Sequence, residues 1–152
     1  MRKNAPAGPL AENRRARFDY EILETYEAGL ELSGPEVKSV RAGRLVLAGS
    51  HALVRGGEAW LLNAQIPAYQ PKNAGNDYEP DRTRRLLLHR AEIAALTGKL
   101  AEKGLALVPL KAYSSHGLVK IELGLARSRK AQDKREAIKK RETEREIRRV
   151  RG

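Results

Sequence analysis

Lys38, Arg41 and Arg44 recur at intervals of three residues, a spacing that could serve a binding surface. Residues three apart on a helix are neighbours on its surface, so a helical segment here would carry a basic ridge. A ridge of cations without a nucleophile or a general base does not suit catalysis. It does suit contacts with the phosphate groups of a nucleic acid.

Other residue types give little reason to expect an enzyme. The three histidines, His51, His89 and His116, lack the spacing and neighbouring carboxylates of a metal site, and the chain has no cysteine. No glycine-rich phosphate loop occurs. Glu27 and Glu31 could be the paired carboxylates of a small nuclease, although such glutamates on a strand more often face solvent or base edges. We therefore predict no catalytic residue, no metal and no cofactor.

The basic ridge needs a strand and a helix to hold it. Tyr26, Ala28, Leu30 and Leu32 alternate with polar residues, which is typical of a half-buried strand. Phe18–Leu32 is predicted as one long bent strand or a strand after a short turn, with a helix over Glu21–Glu27 as the alternative. Next, Ser33, Pro35 and Glu36 predict a capped helix N-terminus, and Gly43 predicts its end.

The rest of the chain contains several short strands. The runs are Leu45–Leu47, Ala52–Val54 and Ala59–Leu62, with Gly56-Gly57 predicting a tight hairpin turn between the last two. Pro67–Pro80 is predicted as a loop, and a helix is expected to run to about Lys103. Strands are expected over Leu105–Tyr113 and Leu118–Ala126. This pattern predicts a mainly β fold, a small antiparallel oligonucleotide-binding-like barrel with a few short helices.

Positive charge is concentrated at the C-terminus. The net charge of this 152-residue chain is +11, and twelve basic against five acidic residues between Arg127 and Gly152 supply +7 of it. This end has helix propensity but little apolar surface, so we expect it to be disordered when free and helical on polyphosphate. A solvated tail is the alternative. We divide the chain into a flexible arm (1–12), a barrel domain (13–126) and a basic tail (127–152).

Cellular location is inferred from segments that the sequence lacks. No apolar run approaches the roughly 20 residues of a membrane span, and no secretory signal is recognisable after Met1. We expect a cytoplasmic protein whose partner is nucleic acid and not a membrane.

Several motifs closely resemble the small protein B family, the tmRNA-binding proteins of bacterial trans-translation. The similarity runs in order over about residues 13–140, and its motifs are Asn13–Tyr20, Tyr26–Leu30, Gly34–Gly43, Asp81–His89 and Asp133–Arg135. The resemblance implies a barrel that binds the tRNA-like domain of tmRNA without enzymatic activity. It also implies delivery to the A site of stalled ribosomes, where the tail enters the vacant mRNA channel and substitutes for codon–anticodon pairing.

The same resemblance implies partners and site residues. The partners are tmRNA, the small ribosomal subunit with its rRNA and, through tmRNA, elongation factor Tu and alanyl-tRNA synthetase; DNA is not among them. The tmRNA-facing residues would be Asn13, Arg14, Arg15, Arg17, Glu27, Lys38, Arg41, Arg44, Arg82, Arg84, Arg85, Leu87 and His89. The decoding-centre residues would be Arg129, Lys130, Gln132, Asp133, Lys134 and Arg135.

Two positions depart from the family pattern. Ser128-Arg129-Lys130 stands where Gly-Lys-Lys is common, and Gln132 stands where an aromatic residue or histidine is usual. A glutamine can form hydrogen bonds but cannot stack on a base as a ring does. The alternative function at this point is a general basic RNA-binding or ribosome-associated chaperone.

Overall fold

A computed structural model of the chain describes residues 8–70, 72, 77–129 and 138–145. The strands are β1 (Ala11–Glu12), β2 (Tyr20–Leu30), β3 (His51–Arg55), β4 (Glu58–Leu62), β5 (Arg84–Leu87), β6 (Leu105–Ser115) and β7 (Leu118–Ser128). The helices are α1 (Ala16–Asp19), α2 (Gly34–Arg41) and α3 (Arg90–Leu100). Residues 138–145 are also helical.

Six of the strands form a closed ring. The pairs are antiparallel and follow the order β6-β3-β4-β5-β2-β7, with β7 returning to β6, and β1 adds to β6. Closure leaves the ring without a free edge, which is the defining property of a barrel. The predicted mainly β, barrel-like fold with few short helices is confirmed.

Alternating side chains fill the barrel. Ala28, Leu61, Leu86, Ile121 and Leu123 are fully or almost fully buried and belong to one apolar cluster. Leu96 of α3 and Val40 of α2 pack against the same cluster. A second, smaller cluster under α1 consists of Ala16, Val108, Leu110 and Ala126.

Strand β2 explains the irregular sequence pattern near Leu23. The strand prediction for this segment is confirmed over Tyr20–Leu30, and the helix alternative over Glu21–Glu27 is wrong. Pairing of β2 with β7 shifts register between Ile22 and Glu24. A β-bulge at Leu23 changes which face the even-numbered residues occupy: Ile22 packs against the smaller cluster, whereas Ala28 lies in the larger one.

Two local predictions are confirmed by the turn and cap geometry. Gly56 and Gly57 both have positive φ, at 63° and 76°, as a two-residue hairpin turn between β3 and β4 requires. At the start of α2, Ser33 Oγ accepts the Glu36 N–H and Glu36 Oε1 accepts the Ser33 N–H.

Other predictions need correction. Leu45–Leu47 is not a strand: Leu45 and Leu47 are buried, and Val46 forms only an isolated bridge to Gln65. Helix α3 ends at Leu100, before Lys103. Strand β7 continues through Ser128, beyond the predicted boundary at residue 126.

Candidate nucleic-acid interface

The outer face of β2, β7 and β6 carries a group of polar side chains because their sequence neighbours point inward. Ala28, Ile121 and Ala112 are fully buried, so the alternating residues face outward. The strand register then places these outward residues side by side: Glu27 opposite Glu122, Glu122 opposite Lys111, and Lys120 opposite Tyr113. We call these five residues, Glu27, Lys111, Tyr113, Lys120 and Glu122, the sheet-face cluster.

Hydrogen bonds and ion pairs connect this cluster. Tyr113 Oη donates to Glu27 Oε2, and Lys120 Nζ lies 4.0 Å from Glu27 Oε1. Lys111 Nζ lies 3.3 Å from Glu122 Oε2. Burial raises the pKa of the Tyr113 phenol, and the hydrogen bond to Glu27 with the nearby negative charges raises it further. The phenol therefore remains a hydrogen-bond donor to Glu27 at neutral pH.

An exposed leucine lies on the same outer face. Leu87 in β5 is paired with Gly29 in β2 and is 47% exposed. A Cβ atom added to Gly29 would lie 3.4 Å from the Cβ of Leu87, so the leucine covers the glycine directly. Glu27 and Leu87, which the sequence predicted as tmRNA-facing, thus lie on one face beside Lys120.

The basic segment Asn13–Arg17, called the arm below, is anchored against β6 by its backbone. Asn13 N–H donates to Leu110 O at 2.8 Å, and the Asn13 side-chain amide donates to Pro109 O at 2.9 Å. Arg14 and Arg15 are more than four-fifths exposed, and Arg17 reaches within 4.0 Å of Glu122. The arm therefore presents Arg14 and Arg17 beside the sheet-face cluster, while the Asn13 amide holds the arm in place.

The predicted ridge on α2 is divided in the structure. Helix α2 ends at Arg41, and Gly43 has a φ of 81° immediately afterwards, so Arg44 lies beyond the helix. Arg41 donates to the backbone carbonyl of Gly117 in the β6–β7 turn. Arg44 instead donates to the backbone carbonyl of Tyr69, and its guanidinium carbon lies 5.5 Å from the centroid of the Tyr69 ring. The prediction of one continuous helical ridge is therefore wrong, although Lys38, Arg41 and Arg44 are all exposed.

Arg84 does not fit its predicted role as a direct RNA contact. Its side chain is 0% exposed, and its guanidinium donates to Glu36 Oε2 and to the carbonyls of Ala64, Pro80 and Arg82. The N–H donors of the Arg84 guanidinium all point to acceptors inside the protein, so none faces outward. The residue holds α2 to β5, and the direct-contact prediction is corrected.

Glu36 is the centre of this buried network. Burial alone would raise the pKa of its carboxyl, but hydrogen bonds from Arg82, the Ser33 N–H and Arg84 lower it from 4.5 to about 2. Arg82 is partly exposed at the rim of the network. Arg85 points outward and forms a 3.1 Å ion pair with Glu58. Both side chains of this pair are exposed, so Arg85 can contact a ligand at the surface.

The remaining predicted residues lie at the start of α3 and in the C-terminal tail. His89 is exposed, and its backbone N–H donates to Glu92 Oε1 at the start of α3. Arg129 N–H donates to Asp19 O at 2.9 Å, which continues the β2–β7 pairing. Lys130, Gln132, Asp133, Lys134 and Arg135 lie outside the described residues, so their predicted roles stay predictions.

The described part of the tail returns to the N-terminal region. The guanidinium of Arg141, within the helical residues 138–145, lies 4.8 Å from the centroid of the Phe18 ring. Arg14, Arg17 and Arg141 line one groove together with Asn13 and Lys111. The helical residues 138–145 thus lie against the N-terminal arginines through Arg141.

Sequence reasoning missed Lys111, Tyr113, Lys120 and Glu122. Each lies at an outward position of a strand that was predicted, over Leu105–Tyr113 or over Leu118–Ala126. The period-two pattern indicated which residues face outward. The register that places Tyr113 and Lys120 next to Glu27 depends on pairing between distant strands, which the pattern does not contain.

The described residues also bear on two other classes of protein, metalloproteins and membrane-spanning proteins. Within residues 8–70, 72, 77–129 and 138–145, no three His, Cys, Asp or Glu side chains are grouped so that they could hold a metal ion. In the same part of the chain, no helix has the length and apolar character needed to cross a membrane.

Comparison with known proteins identifies relatives over almost the whole chain. A family model described as SmpB protein matches residues 10–152. The SsrA-binding protein of Gloeothece citriformis is 52% identical over 148 residues, which are 97% of this chain and 96% of that protein. The SsrA-binding protein of Chlorobaculum tepidum is 55% identical over 140 residues, covering 91% of this chain and 88% of that protein.

A solved structure agrees with the sequence comparisons. A chain from the structure described as "tmRNA-SmpB: a journey to the center of the bacterial ribosome" superimposes with a TM-score of 0.66 and 52% identity. The match covers 84% of this chain and 92% of that chain.

Proposed function

This chain belongs to the SmpB family, and from that premise we propose that it binds tmRNA and acts with it in trans-translation on the ribosome. The barrel would bind the tRNA-like domain of tmRNA and bring it to the A site of a stalled ribosome. Elongation factor Tu and alanyl-tRNA synthetase would meet the protein only through tmRNA.

One observation carries the assignment of the RNA-binding face. The barrel brings Glu27, Lys120 and exposed Leu87 together, and Arg14 and Arg17 lie beside the same face. Structured RNA is recognised by shape, stacking and phosphate contacts, and this face offers cations, an apolar platform and a hydrogen-bond acceptor. The other proposed contacts are Arg15, Lys38, Arg41, Arg44, Arg82, Arg85 and His89, whereas Asn13 and Arg84 act by holding the fold.

The basic tail is proposed to act separately from the barrel. Its residues Arg129, Lys130, Gln132, Asp133, Lys134 and Arg135 would lie at the decoding centre, and the remainder would occupy the vacant mRNA channel. High positive charge and helix propensity suit a segment that is ordered against rRNA phosphates. Because β7 continues to Ser128, we place the start of the tail at Arg129.

Binding selectivity tests the main proposal. Affinity for tmRNA and for an ordinary tRNA would be measured over a range of salt concentrations. We expect tight, salt-sensitive binding with a clear preference for tmRNA. Equal affinity for both RNAs would favour a general RNA-binding chaperone instead.

Truncation tests the division into barrel and tail. A chain ending at Arg129 keeps all described β7 pairs, so it should bind tmRNA with the affinity of the full chain. The same variant should fail to support peptide tagging in a reconstituted system with stalled ribosomes. Loss of tmRNA affinity together with tagging would contradict the proposed division.

We also propose that the protein acts by binding, without catalysis, in the cytoplasm, where its ribosomal partner is located. An RNA-cleavage assay with the full chain, Glu27→Gln and His89→Ala tests the first point. Cleavage by the full chain that either substitution abolishes would establish a nuclease.

A further inference from the structure

Glu27 is an unexpected residue on a face proposed to bind a polyanion. Its side chain is 56% exposed, and its carboxylate repels phosphate groups. Phosphate oxygens only accept hydrogen bonds, as an ionised carboxylate does, so the two cannot pair directly. If Glu27 contacts RNA, its partner must be a hydrogen-bond donor.

The structure holds this carboxylate in a defined orientation. Tyr113 Oη donates to Oε2 from across β7, while Oε1 faces Lys120 Nζ at 4.0 Å. Tyr113 is itself half-buried, and its aromatic ring has Lys111 Nζ 5.9 Å from its centroid. When one oxygen of a carboxylate is already held by a hydrogen bond, the side chain loses less conformational entropy as the other oxygen binds a ligand.

We propose that Tyr113 is a positioning residue that aims the Glu27 carboxylate at a hydrogen-bond donor of the bound RNA. The donor is a base N–H or a ribose 2′-hydroxyl, the two donors that RNA offers. Lys120 offsets the charge of the carboxylate and faces the phosphate of the same nucleotide. This inference rests on the proposed tmRNA-binding function and specifies what Glu27 reads.

The neighbouring apolar surface supports a contact with a nucleotide instead of with phosphate alone. Leu87 covers Gly29 and leaves a low, exposed apolar patch on the same face as Glu27. A base resting on this patch would present its edge or its ribose to the carboxylate. Apolar contact under the ring and an acceptor at its edge are the elements of single-nucleotide recognition.

A double-mutant cycle tests whether Tyr113 acts through Glu27. Affinity for the tRNA-like domain of tmRNA would be measured for the full-length protein, Tyr113→Phe, Glu27→Gln and the double variant. We expect each single variant to lose about tenfold in affinity and the double variant to lose no more than Glu27→Gln alone. Losses that multiply, or full affinity of Tyr113→Phe, would overturn the proposal.

The chain offers a matched control for this cycle. Tyr26 Oη donates to Glu24 Oε2 at 2.7 Å, and Lys99 Nζ lies 2.6 Å from the same oxygen, so the same three residue types meet elsewhere on the surface. Tyr26→Phe removes the same hydroxyl group and should change affinity less than twofold. An equal loss in Tyr26→Phe would show that the effect is not specific to the Glu27 site.

Single-atom changes in the RNA identify the donor. The tRNA-like domain would be assembled from synthetic strands that carry one 2′-deoxy substitution or one base that lacks an N–H donor. One change should weaken binding to the full-length protein and have no further effect on Glu27→Gln. A 2′-deoxy position assigns the ribose, a base position assigns the edge, and no such position would overturn the proposal.

A measurement without RNA separates this inference from the proposed function. Because Glu27 accepts the hydrogen bond of the phenol, Glu27→Gln should shift the ¹³Cζ resonance of labelled Tyr113 at neutral pH. An unchanged resonance would contradict the positioning bond itself. Failure of the full-length protein to bind tmRNA would instead contradict the proposed function.

Discussion

The two arginine clusters of this protein, residues 14–17 and 82–85, differ in the surroundings of their guanidinium groups. Arg84 is 0% exposed and bonded to Glu36 and three carbonyls, whereas the Arg14 side chain is 85% exposed and has one loose contact, 3.3 Å from Glu12. A buried charge must be fully paired, but an exposed one keeps its hydration. The first kind of arginine builds the fold, and the second kind is available to a polyanion.

The largest expected effect on stability comes from removing the charge of Glu36, the buried partner of Arg84. Glu36→Gln leaves the Arg84 charge buried without its counter-charge, which should lower the free energy of unfolding by about 3–5 kcal/mol. Urea denaturation measures this change. As the matched control, Glu58→Gln removes the exposed pair with Arg85 and should cost less than about 1 kcal/mol. Similar losses in both variants would remove the distinction between buried and exposed arginines.

A second prediction uses pH to examine the same carboxylate. The pKa of Glu36 is lowered to about 2 in the folded protein from 4.5, so the folded state favours the ionised form. Its contribution to stability is therefore complete above pH 4.5 and is lost as pH falls towards 2. Unfolding curves between pH 6 and 2 should show a smaller decline in Glu36→Gln than in the unaltered protein. Parallel declines would mean that other carboxylates dominate acid unfolding.

The exposed cluster should show the opposite behaviour. Replacing Arg14, Arg15 and Arg17 together by alanine should change the free energy of unfolding by less than about 1 kcal/mol. Affinity for tmRNA should fall on the order of tenfold, about 1.4 kcal/mol, and the slope of log K against log salt should decrease by up to about 3. Unchanged salt dependence would exclude these arginines from phosphate contacts.

The smallest effect concerns the helix cap that carries Glu36. Ser33→Ala removes the acceptor of the Glu36 N–H and should cost about 1 kcal/mol in the free energy of unfolding. Urea denaturation again gives the value. A loss as large as that in Glu36→Gln would show that the cap and the buried ion pairs act as one unit.

Local features of the fold were predictable where the signal lies within a few residues. The Ser33–Glu36 capping box and the Gly56-Gly57 turn were both recognised and are both present. Strand β5 was missed by the sequence analysis. Its four residues alternate in burial: Arg84 and Leu86 are buried, whereas Arg85 and Leu87 are exposed. A charged residue at an inward position removes the apolar alternation that identifies a strand.

The site was predictable only as a set of residue types. Glu27, Leu87 and the arm arginines could be named from the family resemblance, but their neighbours Tyr113 and Lys120 could not. Arg84 and Arg85 are adjacent in sequence and equally charged, yet one is buried and the other is exposed. Which arginine meets Glu36 depends on how β5 packs against α2, and this is a property of the tertiary structure.

The pairing of β2 with β7 also has a consequence for how the molecule folds. Tyr20 pairs with Ser128, so β2 finds the partner that it follows over most of its length only when the last strand is present. Hairpins such as β3–β4 can form early, but closing the ring joins segments that are distant along the chain. Such non-local closure is slow, so we expect refolding on a timescale of roughly milliseconds to seconds, with the final ring closure limiting the rate.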